Sequence, residues 1–245
     1  MWDRPDLLRA VANLLLLSAG ALLAVVALTA GSRLPAFNLR EVRVEGDVAH
    51  LTREQVELIV RREVRGTVFS ADLEAVRSAF AKLPWVRAVE VRRQWPPGLR
   101  VVLEEHVALA RWGGVGLVST RGELFEAATD ESLPEFAGPA GSAPEIVARH
   151  AAFTRLVEPL GQSVAQVTLS PRRAWQIRLD GGLAIALGHE HMEQRLERFV
   201  AVYGRSVGAL PRRPVHVDLR YSNGFAVRMA PAEDGTRKGV TREKA

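Results

Sequence analysis

From Val11 to Ala30 the chain carries no charge, and only Asn13, Ser18 and Thr29 interrupt the apolar run with polar side chains. A helix of about 20 residues spans the roughly 30 Å hydrocarbon layer of a bilayer. The pattern therefore predicts a transmembrane helix over residues 11–31. A cleaved signal peptide would have an apolar part of about 7–15 residues and end at a site flanked by small side chains. This run is longer, and Leu28 stands where a cut after Ala30 prefers a small residue. The expectation is an uncleaved anchor.

Beyond the anchor the period changes. Val42 and Val44 alternate with Arg43 and Glu45 before Gly46, the pattern of a half-buried strand. Thr52 followed by Gln55 is a capping box, and Val56, Ile59, Val60 and Val64 form one helical stripe behind it. Ser70 is read as the opening of a second helix with Leu73, Val76, Phe80 and Leu83 on one face, stopped by Pro84. Val89 and Val91 alternate on a strand, Trp95-Pro96-Pro97-Gly98 turns the chain, and Leu99, Val101 and Leu103 return it. Strand, helix, helix, strand, strand predicts a three-stranded sheet with two helices on one face.

A second region follows. Gly122 turns the chain between residues 116–119 and 123–125, and residues 128–144, rich in Pro and Gly, read as loop. A helix fits residues 145–156. Val167 and Leu169 lie on one expected strand, and Trp175, Ile177 and Leu179 on the next. Asp180-Gly181-Gly182 makes a hairpin into Leu183, Ile185 and Leu187. Met192, Leu196, Phe199, Val200 and Tyr203 mark an amphipathic helix. Val215, Val217, Leu219 and Tyr221 alternate on a strand, and Asn223-Gly224 leads into Phe225–Met229. The fold class is α+β.

Composition changes this picture little. The 245 residues are 47% apolar and 25% charged, a globular balance. The net charge of +5 and pI near 10.3 fit a solvated basic surface. The absence of cysteine excludes disulfides and thiolate zinc sites. Arg4 and Arg9 precede the span while Arg33, Arg40 and Arg43 follow it, so counting positive charge leaves orientation open.

Catalytic chemistry is hard to find. His189-Glu190-His191 lacks the i, i+4 spacing of a helical zinc site. Glu104 and Glu105 are adjacent on a strand and face opposite ways. Gly113-Gly114-Val115-Gly116 lacks the Lys-Ser/Thr of a phosphate loop, and no G-x-S-x-G elbow exists. The pairs Arg92-Arg93, Arg172-Arg173 and Arg212-Arg213 fall on separate elements without the aromatic interleaving of a nucleic-acid surface. Neither nucleic acid nor a small-molecule substrate is expected, and no catalytic, cofactor or metal site. The tryptophans at 85, 95, 112 and 175 border strands and are expected to pack in the core or at a domain junction. A membrane-anchored envelope enzyme, such as a peptidoglycan hydrolase, is the alternative reading.

Four stretches in order resemble the FtsQ/DivIB family of bacterial cell-division proteins. They are Lys82-Leu-Pro-Trp-Val86, Val91-Arg-Arg-Gln-Trp-Pro96, Arg173-Ala-Trp175, and Val217-Asp-Leu-Arg-Tyr221 followed by Gly224-Phe-Ala-Val227. The resemblance implies a POTRA domain over residues 38–106 and the family's β-rich domain over 107–230, with a flexible tail at 231–245. It implies a cytoplasmic tail at residues 1–10 and a single pass through the inner membrane. The remainder would be periplasmic, at the division septum. The implied function is a non-enzymatic scaffold that binds the FtsB–FtsL pair and links early to late divisome proteins, without a cofactor. The family positions that contact the partner fall on Arg172, Arg220, Tyr221, Ser222, Gly224, Phe225, Ala226, Val227 and Met229, where Met229 replaces a family tryptophan. A last strand at a sheet edge could accept a partner strand through its main chain.

Overall fold

The computed structural model of the protein describes residues 5–31, 34–221 and 223–231. The chain divides into two compact units at His106/Val107. The first opens with helix α1 (Pro5–Gly31), in which Val11–Gly31 is long and apolar enough to cross a membrane. Two of its three polar interruptions, Ser18 and Thr29, are satisfied within the helix. The Ser18 hydroxyl donates to the Leu15 carbonyl at 2.9 Å, and that of Thr29 to Val25 and Val26 at 3.0 Å. In hydrocarbon, where water cannot serve, that pairing removes the cost of a bare hydroxyl.

Strand β1 (Glu41–Glu45), helices α2 (Arg53–Glu63) and α3 (Leu73–Phe80), and strands β2 (Val86–Gln94) and β3 (Gly98–Glu105) complete this unit. The sheet order is β1-β3-β2, with β1 parallel and β2 antiparallel to β3. The capping box is formed: the Gln55 N–H donates to Thr52 Oγ1 at 3.3 Å and the Thr52 N–H to Gln55 Oε1 at 3.1 Å. Such a cap is worth about 1 kcal/mol. Val76, Phe80, Val86, Val101 and Leu103 form the core.

Three expectations for this unit need correction. Asp72, not Ser70, caps α3, because its carboxylate accepts from both Glu74 N and Ala75 N at 3.0 Å. Ser70 is drawn instead into a turn with Thr67, whose N–H donates to Ser70 Oγ. Helix α3 ends at Phe80, before Leu83 and Pro84, although Leu83 still packs on the core. Trp95 is 71% exposed at the β2–β3 turn, so it is not a packing residue, whereas Trp85 and Trp175 are buried.

The second unit holds a nine-stranded sheet of order β12-β11-β10-β9-β8-β7-β4-β5-β6. Its strands are β4 (Ala108–Trp112), β5 (Gly116–Ser119), β6 (Leu124–Phe125), β7 (Glu135–Ala137), β8 (Val164–Leu169), β9 (Trp175–Leu179), β10 (Ala184–Gly188), β11 (Pro214–Asp218) and β12 (Ala226–Met229). Helix α4 (Ala143–Val157) packs on β8 and on helix α5 (Met192–Tyr203). Along β9 every second residue is buried, namely Trp175, Ile177 and Leu179. Phe153 of α4 meets Trp175 edge to face at 5.9 Å, so the helices cover the face those three residues present. Strands β4 and β7, the latter within the expected loop 128–144, are additions to the predicted set. The predicted strand through Tyr221 stops at Asp218.

Candidate partner-docking edge

The register brings separated segments to one end of the large sheet. Trp175, where β9 begins, pairs with Gly188, where β10 ends. Asp218, where β11 ends, pairs with Ala186 of β10 and with Ala226, where β12 begins. The β8–β9 turn with Arg172, the Gly188 corner and residues 219–225 therefore share that end. Arg172 is exposed in the turn before β9, which is two strands from β11 in the sheet. Its neighbour Arg173 is committed elsewhere, to Glu145 of α4 at 2.6 and 2.7 Å.

Asp218 organises the loop that follows it. Its carboxylate is nearly buried and accepts from Arg220 N at 3.0 Å, Arg220 Nε at 2.9 Å and Arg220 Nη2 at 2.6 Å. These bonds hold the Asp218 carboxyl below the usual carboxylate range, and burial only partly opposes them. The Arg220 guanidinium is correspondingly raised, first by its hydrogen bond to Asp218. The stem of Arg220 passes over Gly188, where a Cβ would sit 3.2 Å from Arg220 Cγ and the backbone is left-handed at φ +81°. Only glycine suits that corner. Leu219 is buried and donates its N–H to the Ala186 carbonyl at 2.9 Å.

Tyr221 is thereby put outside, at 59% exposed. A shallow groove of about 200 Å³ runs beside it, floored by Phe199, Leu219 and Phe225 and walled by Arg195, Arg198 and Val202 of α5. Phe225 meets Phe199 edge to face at 5.3 Å. Arg195 is anchored by donating to the Leu187 carbonyl at 3.2 Å, while Arg198 is exposed. These three α5 residues were not singled out from the sequence. Their i, i+3, i+7 spacing on one helix face is the signal that could have found them. Ser222 lies outside the described residues.

Strand β12 has β11 on one side and no strand on the other among the described residues. The Ala230 N–H donates inward to Arg213 at 2.9 Å, and the register shift falls on β11. Alternation along β12 then turns the Ala226 and Arg228 N–H groups toward β11. Those of Val227 and Met229 face the open edge. Phe225 and Val227 pack on the core side, and Ala226 and Arg228 are exposed. Gly224 is exposed, with open space where a Cβ would be. Met229 is half-buried.

The other polar clusters are structural. Glu105 accepts from the Ala49 and His50 N–H groups and faces the His50 ring at 3.0 Å, while Glu104 pairs with Arg87 at 2.8 Å. His191 takes a left-handed conformation at the start of α5. Among the described residues no three His, Cys, Asp or Glu side chains are grouped to hold a metal ion.

A family profile described as cell division protein FtsQ/DivIB, C-terminal, matches residues 110–220, and one described as POTRA domain, FtsQ-type, matches residues 37–106. The cell division protein FtsQ of Nitrosospira multiformis is 48% identical over 233 residues, covering 93% of this chain and 99% of the relative. The chain belongs to the FtsQ/DivIB family. The FtsQ of Burkholderia pseudomallei is 40% identical over 241 residues, covering 94% and 95%. That of Coxiella burnetii is 36% identical over 217 residues, covering 84% and 88%. The first unit is thus a POTRA domain preceded by an apolar helix, and the second is the C-terminal domain of the FtsQ/DivIB family. The expected cell-division family and α+β architecture hold.

Proposed function

We propose that this division protein is a membrane-anchored, non-enzymatic scaffold. Residues 34–230 are taken to face the periplasm at the septum, with residues 1–10 on the cytoplasmic side. Its last strand accepts a strand of the partner FtsB from the FtsB–FtsL pair, and so links early to late division proteins. The observation that carries this reading is the open edge of β12. Its Val227 and Met229 donors are unmatched by any strand among the described residues, and an incoming strand would satisfy them.

The surroundings support an anchored strand. Tyr221 offers a large exposed ring beside the groove, the kind of residue that dominates interface energetics. The arginines of α5 and Arg172 would attract an acidic segment. Arg220 contributes differently from the sequence expectation. Its guanidinium already serves Asp218, so it shapes the 219–225 loop and offers a partner only its remaining donors. Titrating the full chain in detergent with purified FtsB–FtsL of the same organism tests the reading. Saturable binding supports it. Absence of binding to that pair overturns the partner assignment.

A further inference from the structure

The POTRA unit exposes large apolar side chains at one end, and the topology shows which end. Residue 34 follows the span by three positions and Phe37 by six, so Phe37 lies within about 20 Å of Gly31 even on a fully extended chain. Phe37 is then bound to the 66–71 turn. Its carbonyl accepts from Val68 N at 2.8 Å, Asn38 bridges Thr67, and its ring meets Phe69 edge to face at 5.1 Å. Arg93 clamps the same turn from β2, donating to Val68 O at 2.6 Å and Ala71 O at 3.1 Å. The β2–β3 turn is tied in as well, because Arg40 N donates to Pro97 O at 3.1 Å. Leu34, Phe69 and Trp95, at 52%, 56% and 71% exposed, therefore lie at the end of the unit where the chain leaves α1.

Nothing in the POTRA core requires them outside. A marginal domain of this size gains by burying such side chains, and three together at one end mark an interaction surface. The surroundings indicate what covers it. The Phe37 and Phe69 rings border an open, almost wholly apolar gap whose other wall is Ala27, Leu28, Thr29 and Gly31, the last turn of the span. Leu28 lies about 4.5 Å of helix inside Gly31. Rings beside it stand at the boundary between acyl chains and headgroups. Arg40 and Arg65, both exposed, stand three residues after Phe37 and four before Phe69 along the chain, and the carboxylate of Glu41 is paired with Arg43. Aromatic side chains with arginines around them are what the interface of an anionic bilayer favours.

We propose that the tip formed by Leu34, Phe69 and Trp95 is a lipid-docking surface. It seats the POTRA unit on the leaflet at the C-terminal end of α1, with lipid filling the gap between the rings and the span. The proposal rests on α1 lying in the membrane and is independent of any partner at β12.

The chain has no cysteine, so single-cysteine variants of the full chain can each carry one environment-sensitive fluorophore. Phe69→Cys and Trp95→Cys report the tip, and both side chains are exposed enough to replace without emptying a core. Asp47→Cys reports the opposite end of β1, and Gly20→Cys, which has open space around it, the middle of the span. The proteins are reconstituted in vesicles of phosphatidylethanolamine and phosphatidylglycerol, with and without lipids carrying a nitroxide near the top of the acyl chain for the labels at 47, 69 and 95, or near its end for the label at 20. The expected result is that labels at 69 and 95 shift to the blue and lose most of their emission to the nitroxide lipid, while the label at 47 keeps its emission. Quenching at 20 with none at 69 and 95 overturns the docking and leaves the anchor standing. No quenching at 20 removes the anchor and the docking with it. Labels at 69 and 95 that are shielded from water yet unquenched by lipid overturn the proposal in favour of a protein contact.

Discussion

The Asp218 carboxylate is held ionised by the Arg220 side chain and backbone, and that ties the docking loop to pH. A group whose folded pKa is depressed stabilises the fold at pH above its unfolded value, near 3.9, and loses that contribution as pH falls through the folded pKa. The wild type should therefore hold a higher urea midpoint than Asp218→Asn at neutral pH. The two should converge on acidification, as read by circular dichroism across a pH series. The same pair makes Arg220→Glu a poor probe of binding, because it sets a second carboxylate against Asp218. Tyr221→Ala is better suited. With its ring largely in solvent, its loss should leave the thermal midpoint nearly unchanged and weaken FtsB–FtsL binding by about 2 kcal/mol, some thirtyfold, in a calorimetric titration. Unchanged affinity would take Tyr221 out of the docking surface. Tyr221 shows what sequence alone leaves open at this scale. Alternation places it on the buried side with Val217 and Leu219, but the strand ends at Asp218 and the Asp218–Arg220 bonds turn the chain outward.

Elements were read from the sequence unevenly, and the reasons are local. A continuous apolar run, amphipathic stripes and turn residues located the five α-helices of the described residues and most of their strands. Strand β7 has three residues inside a Pro- and Gly-rich stretch, too short for any period to register, and it exists because Phe136 is fully buried between β4 and β8. Strand β4 reads Ala-Leu-Ala-Arg-Trp, without the β-branched residues that signal a strand. At β12 the alternation of N–H groups separates two proline variants. Val227→Pro removes a donor at the open edge and should abolish FtsB–FtsL binding in a pull-down with little change in thermal unfolding. Ala226→Pro removes a donor to β11 and should lower the thermal midpoint itself, at a cost of roughly 3 kcal/mol. The α3–β2 connection makes a third case. Trp85 is buried, stacks on the His50 ring at 3.6 Å, and its carbonyl accepts from His106 N at 2.8 Å. Trp85→Ala should cost about 3–5 kcal/mol in chemical denaturation of the POTRA unit, leaving the α5 groove intact.

For the whole molecule, the apolar helix, the POTRA unit and the family domain follow one another along the chain, and the profiles divide it near residue 106, where the fold does. That order was legible because each part has a different period: a continuous apolar run, then mixed helix and strand patterns, then strands in succession. The placement of Leu34, Phe69 and Trp95 at one end was not legible, since three distant positions come to the same end only once β1 is laid parallel to β3. Orientation is likewise absent from the arginine count, and the proposed periplasmic placement gives it a direct test. A reporter that fluoresces only in the cytoplasm, fused after Met229, should stay dark in living cells, and bright fluorescence would reverse the topology.

The strand order of the large sheet has a consequence for synthesis. Strand β12 occupies an outermost position, and among the described residues it is the last strand to be synthesised. The neighbouring eight strands and both covering helices pair and pack with one another without residues 226–229. A chain interrupted shortly before that point would keep most of its core yet expose the margin of β11, with a different set of side chains along it. The edge proposed to take FtsB is thus contributed by residues 226–229, and a copy that lacked them would keep its anchor yet miss the strand margin proposed for its place in the division assembly.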